Sequence, residues 1–134
     1  MATLKLEVIT PDKTVVSKDV DMVICPGESG EFGVLPHHVS LLSALKTGPL
    51  RYHAPDGDDV LFISGGFVEV NADKCSVLAE SAELAATIDQ ARAIAAKERA
   101  ERRLAEKKAE TDEARALAAL QRAVMRLQIA TKPM

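Results

Sequence analysis

Aromatic residues are scarce in this 134-residue sequence, and tryptophan is absent. All seven glycines precede residue 68, whereas residues 87–132 contain neither glycine nor proline. Glycine and proline are the residues that most disfavour a helix interior, so residues 87–132 contain no strong helix breaker. The composition therefore changes near residue 86. The four aromatic residues all lie before that change: Phe32, Tyr52, Phe62 and Phe67.

Long apolar runs are also missing, and cysteines are few. The apolar stretches fall far below the roughly 18–20 residues of a membrane span, and residues 1–10 lack the charged and apolar regions of a signal peptide. We expect any membrane role to come through a partner. Two cysteines, Cys25 and Cys75, are too few for a disulfide scaffold. We interpret them as small core hydrophobes in a reducing compartment, rather than as a disulfide or a reactive thiol.

Charge divides at the same place as composition. Residues 1–86 carry 6 Lys and Arg against 13 Asp and Glu, whereas residues 87–134 carry 11 against 7. At this length the chain is one domain, or one compact domain with an appendage. The sequence thus predicts an acidic body followed by a basic tail.

The body has the pattern of short strands. Residues 4–8 alternate apolar and polar side chains, which indicates a strand with one buried face. Pro55-Asp56-Gly57-Asp58 predicts a hairpin turn, and residues 71–73 predict another turn. Strands this closely spaced, without helical periods between them, favour an all-β sandwich or barrel over residues 1–80. The further predicted strands cover residues 20–24, 49–54, 59–64, 67–70 and 74–79.

The tail has two helix start signals. Thr87-Ile88-Asp89-Gln90 is a capping box in which Thr87 is the predicted N-cap, and Thr111-Asp112-Glu113 predicts a second start. We therefore expect two helices joined by a turn near residues 106–112. The first offers mostly alanine, so the pair should pack weakly and be able to open. The second has one apolar seam, formed by Leu117, Leu120, Val124 and Leu127.

No pattern of residues indicates an enzyme or a metal protein. The glycine-rich residues 27–33 lack the Gly-Lys-Ser/Thr of a phosphate loop, so we predict a bent loop between strands. His37 and His38 are adjacent and would point to opposite sides of a strand, which disfavours a metal site that includes His53. No serine has a recognisable nucleophile setting, and no carboxylates pair for acid–base catalysis.

The arginines of the tail have a suggestive spacing. Asp89, Arg92, Arg99 and Arg103 lie near one side of the first helix, and Arg122 and Arg126 share a side of the second. If the helices fold back on each other, the guanidinium groups could converge on a triphosphate. The alternatives are a solvated helix face or a nucleic-acid surface. The acidic total, the interleaved glutamates and the lack of aromatic residues in this half disfavour nucleic acid.

Three segments of the chain resemble the epsilon subunit of bacterial F-type ATP synthases. Residues 30–38, GEFGVLPHH, resemble the family's G-[DE]-x-G-[IV]-x-P-G-H segment, and residues 64–70, SGGFVEV, resemble its S-G-G-[FI]-x-E-V strand. Residues 88–93, IDQARA, are similar to the I/L-D-x-x-R-A sequence that opens the family's helical hairpin. The chain departs from the first pattern at His37, where the family usually has glycine, and at Val39-Ser40, where it often has Ala-Pro.

The resemblance implies an α+β protein, mainly β and then α. Residues 1–86 would form a flattened ten-stranded β-sandwich bound to the gamma subunit and the c-ring, and residues 87–134 an antiparallel two-helix hairpin. The subunit would couple the rotor to the catalytic part during proton-driven ATP synthesis and have no catalytic role. Its hairpin would either fold on the sandwich or extend into the alpha and beta subunits and block ATP hydrolysis. The protein would lie on the cytoplasmic face of the bacterial plasma membrane.

The resemblance also implies sites. No cofactor would be required, but ATP would be a regulatory ligand that holds the folded hairpin, as in some members. Glu31 would face the c-ring, and His38 would lie near the gamma and c-ring interface. A stand-alone nucleotide-sensing module and a small nucleic-acid adaptor remain alternatives, with an enzyme less favoured than either. The implied ATP ligands are Glu83, Ile88, Asp89, Arg92, Ala93, Arg99, Arg122 and Arg126.

Overall fold

The computed structural model describes residues 3–38, 40–106 and 112–131. Eight strands come first and two helices follow, as expected for an α+β protein. A short 3-10 turn, Ala85–Thr87, joins the last strand to α1, Gln90–Glu106, and α2 covers Glu113–Thr131. The strands are β1 Leu4–Ile9, β2 Thr14–Val20, β3 Met22–Gly27, β4 Gly30–Val34, β5 Leu41–Ala44, β6 Gly48–Ala54, β7 Gly57–Val70 and β8 Lys74–Leu84.

The strands form one continuous sheet in the order β2-β1-β8-β7-β6-β3-β4, with β5 also paired to β7. Strands β1 and β8 run parallel, whereas the other neighbouring pairs are antiparallel. The strands at the two ends of this path, β2 and β4, do not pair with each other. Of the two architectures that the sequence left open, the observed one is therefore the sandwich and not the closed barrel.

Strands β7 and β8 each pass through both layers of the sandwich. In the first half of β7, Leu61 and Ile63 face the core, whereas in the second half Val68 and Val70 do so. The core-facing side thus changes at Gly65 and Gly66, whose φ angles are 70° and 107°. The sequence predicted two strands here, at residues 59–64 and 67–70. Glycine permits the positive φ that keeps them in one strand, so eight strands build the sandwich for which ten were expected.

Gly66 is also required by close packing against β8. A Cβ atom at this position would collide with the carbonyl oxygen of Leu78 and would lie 2.8 Å from the Cα of Ala79. At the neighbouring Gly65, a Cβ atom would lie 2.9 Å from the Glu80 carboxyl carbon. The two adjacent glycines therefore allow the two long strands to change layers together.

The sandwich encloses a single apolar core drawn from both layers. The alternation in residues 4–8 is confirmed, because Leu4, Leu6 and Val8 are buried in that core. Cys25 and Cys75 are free thiols with no exposed surface. The adjacent Cys75 thiol and burial both raise the pKa of Cys25 far above its ordinary range. A thiol that stays protonated is a poor nucleophile, which agrees with the interpretation of these cysteines as core hydrophobes.

The turn at residues 55–58 and the starts of both helices lie close to the predicted places, with two corrections. Thr111 of the second start signal and most of the predicted turn at residues 106–112 lie outside the described residues. The glycine-rich residues 27–33, predicted to be a bent loop between strands, belong largely to the β3–β4 hairpin: residues 30–33 lie in β4 because they pair with residues 24–27 of β3. The cap of α1 is Asp89, whose carboxylate accepts the Arg92 N–H at 3.0 Å, so the prediction that Thr87 caps this helix is wrong. The Thr87 hydroxyl instead donates to the Leu84 carbonyl oxygen, because Thr87 belongs to the preceding 3-10 turn. Asp112 caps α2 in the same way as Asp89, by accepting the Arg115 N–H.

The two helices form a hairpin that lies on the sandwich. Its contact with the sheet is a second apolar cluster, in which Met125 and Ile129 of α2 pack with Val60 and Phe62 of β7. The residues fully buried in the helices are mostly small, so the predicted seam of α2 is not its main packing face. Leu117 of that seam is 48% exposed. The buried helix residues are Ala93, Ala100, Ala116, Ala123 and Ile129.

Candidate functional site

A pocket of about 330 Å³ lies where β8, the start of α1 and the middle of α2 meet. Its acidic groups come from β8 and from the residue that caps α1, and its three arginines come from the two helices. A pocket with walls from three elements exists only while the hairpin is docked. The residues that line it are Glu83, Thr87, Asp89, Arg92, Ala93, Ala96, Arg99 and Arg126.

Arg126 connects the hairpin to the sandwich inside this pocket. Its Nε donates a hydrogen bond to Glu83 Oε1 at 3.1 Å. The guanidinium carbon lies 4.2 Å from the centroid of the Phe62 ring, which is fully buried. Arg126 therefore combines a charge-assisted hydrogen bond with a cation–π contact, and both join α2 to strands of the sheet.

Arg92 and Arg99 lie seven residues apart on α1 and so share one side of that helix. Both are exposed, and neither forms an ion pair in the part of the chain that the structure describes. The N-terminus of α1 also lies at this pocket, where the Asp89 carboxylate accepts the backbone N–H of Arg92. The pocket thus gathers three guanidinium groups and two carboxylates, and this net positive charge suits an anion.

Six of the eight residues predicted as ATP ligands line this pocket. The other two lie elsewhere: Ile88 is buried in the apolar cluster beneath the hairpin, and Arg122 is half-buried on α2 but is not part of the lining. Thr87 and Ala96 line the pocket without having been predicted. The spacing could have identified Ala96, because it lies four residues after Arg92 on the same helix side. The six predicted ligands that line the pocket are Glu83, Asp89, Arg92, Ala93, Arg99 and Arg126.

The predicted partner contacts, Glu31 and His38, lie together at a shallow pocket of about 340 Å³ beside the β3–β4 hairpin. Glu31 is held by Arg51, whose Nη2 donates to Glu31 Oε2 at 2.8 Å. His37, at the position where the resemblance led us to expect glycine, has a φ of 65°. The loop therefore keeps a left-handed conformation although the residue is not glycine.

A different exposed surface lies on the layer that contains β5 and the second half of β7. Phe67 pairs directly with Leu78, and Leu42 lies two residues from Ala44, the other partner of Phe67. The three residues share one outward face: Leu42 is 70% exposed, Phe67 57% and Leu78 54%. Contiguous large apolar groups that remain in water mark a site of protein contact. We call Leu42, Phe67 and Leu78 the apolar stripe.

Two kinds of site are not found among the described residues. They contain no group of three or more His, Cys, Asp and Glu that could hold a metal ion. None of the described helices is long and apolar enough to cross a membrane.

Two family models together cover nearly the whole chain. The model described as "ATP synthase, Delta/Epsilon chain, beta-sandwich domain" matches residues 3–85, and the one described as "ATP synthase, Delta/Epsilon chain, long alpha-helix domain" matches residues 87–131. The chain belongs to the ATP synthase delta/epsilon family. The family resemblance found in the three sequence segments is thereby confirmed.

Curated relatives of this delta/epsilon chain carry the same name, ATP synthase epsilon chain. The one from Syntrophobacter fumaroxidans is 54% identical over 129 residues, which are 96% of each chain. The one from Nitratidesulfovibrio vulgaris is 56% identical over 104 residues, 78% of each chain. The one from Anoxybacillus flavithermus is 48% identical over 107 residues, 80% of each chain.

Solved structures share the fold of this delta/epsilon chain. A chain in the Euglena gracilis mitochondrial ATP synthase structure, described as OSCP/F1/c-ring, superposes with a TM-score of 0.82 at 24% identity. That match covers 98% of this chain and 83% of the other. A chain in the Tetrahymena thermophila mitochondrial ATP synthase central stalk and c-ring structure gives a TM-score of 0.61 at 15% identity, with 96% and 97% covered. At these identities the matches support the sandwich and hairpin fold.

Proposed function

We propose that this delta/epsilon chain is a non-catalytic subunit of the ATP synthase central stalk, in which the helical hairpin inhibits ATP hydrolysis and bound ATP opposes that inhibition. The sandwich would contact the gamma subunit and the c-ring and couple the rotor to the catalytic part. The extended hairpin would reach the alpha and beta subunits. In a bacterium the subunit would lie on the cytoplasmic face of the plasma membrane, held there by its partners.

The proposed regulation by ATP rests on one observation, which is that the walls of the pocket come from three separate elements. Glu83 belongs to the sandwich, Arg92 and Arg99 to α1, and Arg126 to α2. A ligand that contacts all three elements has this binding site only in the docked state. Such a ligand favours the docked state by its difference in affinity between the two states, so ATP would withdraw the hairpin from the catalytic subunits.

The charges of the pocket favour a polyphosphate. Arg92 and Arg99 are cations without ion-pair partners among the described residues, and planar guanidinium groups match phosphate oxygens in pairs. Arg126 already holds Glu83, so it would have to share or exchange that partner to bind phosphate. The volume of 330 Å³ lies at the lower end of the usual range of about 300–1,000 Å³ for small-molecule sites.

The partner surfaces are proposed from position and exposure. The apolar stripe lies on the layer that the hairpin does not cover, so it remains free for the gamma subunit when the hairpin is docked. Glu31 and His38 lie beside the β3–β4 hairpin and are proposed to meet the c-ring.

Calorimetric titration of the full chain with ATP and with ADP tests the nucleotide part. We expect ATP to bind more tightly than ADP, and Arg92→Ala to weaken ATP binding by about tenfold or more, as expected for a lost charge-assisted contact. Arg102→Ala is the matched control, because Arg102 is an exposed arginine of the same helix that does not line the pocket. Absence of ATP binding by the native chain would remove the nucleotide sensor and leave the rotor proposal standing.

Reconstitution with the gamma, alpha and beta subunits tests the rotor part. The full chain should co-purify with gamma and lower the ATPase activity of the assembly. Deletion of residues 87–134 should leave gamma binding intact and relieve the inhibition. A stand-alone nucleotide-sensing module would instead bind ATP and fail to co-purify with gamma. Unchanged ATPase activity with the bound full-length chain would contradict the inhibitory role.

A further inference from the structure

A second and larger cavity, of about 730 Å³, lies between α2 and the sandwich. We call it the α2 groove. Pro49 at its floor belongs to β6, and Met125 and Gln128 of α2 extend it toward a smaller neighbouring cavity that also contains Arg51. The lining of the α2 groove consists of Pro26, Glu31, Lys46, Thr47, Gly48, Pro49, Leu120, Gln121, Val124, Met125 and Gln128.

The apolar seam of α2 faces this groove instead of packing in a core. Leu120 and Val124 line the groove and are only half-buried, and Leu117, one turn earlier on the same seam, is 48% exposed. Helices of globular proteins normally bury their most apolar side against another element. Here alanines and Ile129 fill the buried positions, and Leu120 and Val124 of the seam border open space.

The charge at the rim of the groove is positive. Lys46 lines the groove, is exposed, and has no ion-pair partner in the described part of the chain. Glu31 also lines it, but Arg51 neutralises that carboxylate at 2.8 Å. The remaining polar side chains of the helix wall are the amides of Gln121 and Gln128, which carry no charge. An apolar channel with one unpaired cation at its edge suits a molecule with an apolar body and a single anionic head.

We propose that the α2 groove binds a single-chain anionic amphiphile with a carboxylate head, of the fatty-acid class. The alkyl chain lies against Leu120, Val124 and Pro49, and the carboxylate meets the Lys46 ammonium group. Each methylene group of an alkyl chain that leaves water for an apolar surface adds to the affinity, so the apolar wall of the groove supplies the affinity and Lys46 supplies the orientation.

This site is separate from the nucleotide pocket. At about 100° of rotation per residue, Arg126 points to the opposite flank of α2 from Val124 and Gln128. The two sites share no lining residue. Because α2 forms one wall of the groove and the sandwich the other, an occupant of the groove also favours the docked hairpin.

Calorimetric titration of the full chain with dodecanoate, kept below its micelle concentration, tests the proposal. We expect saturable binding of one dodecanoate per chain. Lys46→Ala should weaken it about fivefold, the effect of losing one exposed charge pair. Lys13→Ala, at an exposed turn remote from the groove, is the matched control and should leave binding unchanged. Val124→Phe, which fills part of the groove, should weaken binding further, and dodecyltrimethylammonium should bind much less tightly than dodecanoate.

The proposal is overturned if dodecanoate gives no saturable binding, if neither Lys46→Ala nor Val124→Phe changes it, or if the cationic amphiphile binds as tightly. Arg92→Ala should bind dodecanoate as the native chain does. Loss of dodecanoate binding in Arg92→Ala would instead assign it to the nucleotide pocket. Since ATP binding and dodecanoate binding are measured separately, failure of one leaves the other result intact.

Discussion

Replacement of Arg126 by alanine should release the helical hairpin from the sandwich. Arg126 holds Glu83 through a 3.1 Å hydrogen bond and covers the Phe62 ring at 4.2 Å. The two charged side chains are 24% and 34% exposed, so their pairing contributes only about 1 kcal/mol after screening by solvent. The contact with the buried ring adds about 1 kcal/mol. A loss of about 2 kcal/mol changes the ratio of docked to undocked hairpin about 30-fold.

Distance measurement between two fluorescent labels can follow this change in the isolated chain. Cysteines introduced at Ser17 of β2 and Glu101 of α1, both exposed, provide attachment points on the sandwich and on the hairpin. Cys25 and Cys75 need not be removed, because both thiols are fully buried and therefore poorly reactive. We expect Arg126→Ala to increase the fraction of molecules with a large label separation.

Arg122→Ala is the matched control for this experiment. It also removes a guanidinium group, but one turn earlier on α2. The Arg122 side chain does not line the pocket and does not lie over the Phe62 ring. A double-mutant cycle with Glu83→Ala, which removes the acceptor of the Arg126 hydrogen bond, would separate that bond from the ring contact. Equal label separations in Arg122→Ala and Arg126→Ala would refute the reasoning, because docking would then not depend on the Glu83 and Phe62 contacts.

Three further predictions concern the fold. Gly66→Ala should lower the free energy of unfolding by about 3 kcal/mol or more in urea melts, since its φ is positive and its Cβ atom would strike β8; an unchanged midpoint would contradict the layer change described here. Asp89→Ala should destabilise α1 by about 1 kcal/mol because it removes the N-cap, and the loss should appear as lower helicity by circular dichroism. Thr87→Ala should leave the helicity unchanged. A loss of helicity in Thr87→Ala but not in Asp89→Ala would show that Thr87 is the cap. The hydrogen bond from Lys74 lowers the pKa of Glu7 below its ordinary value of 4.5, so this pair stabilises the fold above that pH and the contribution is lost as pH falls through the lowered pKa. Lys74→Gln should therefore be less stable than the native chain near neutral pH and equally stable in strong acid, and a difference that persists in acid would exclude the ion pair as its cause.

The local pattern of the sequence was sufficient for five of the eight strands and for the approximate helix starts, whereas β2, β4 and β5 were not predicted. The alternation at residues 4–8, the turn around Gly57 and the helix start signal at residues 111–113 depend on neighbours within a few residues. Such signals survive in an isolated sequence because they arise from backbone preferences and side-chain periodicity. The position of Arg92 and Arg99 on one side of α1 follows from the same helical spacing.

Other features depend on contacts between residues far apart in the chain. The sequence could not indicate that β7 and β8 serve both layers, because that depends on how the Gly65-Gly66 pair meets β8 across the sheet. It also did not indicate which face of α2 packs. Leu120 and Val124 of the apolar seam border an open groove, while alanines are buried in the two helices and Met125 and Ile129 reach the sheet.

The sequence by itself determined the element types, the division into an acidic body and a basic tail, and the family. The tertiary structure decided which residues meet: Arg126 with Glu83 and Phe62, and six of the eight predicted ligands in one pocket without Arg122 and Ile88. The physical reason is that periodicity fixes the side of a helix on which a residue lies. Only the docking of one element on another fixes what that side contacts.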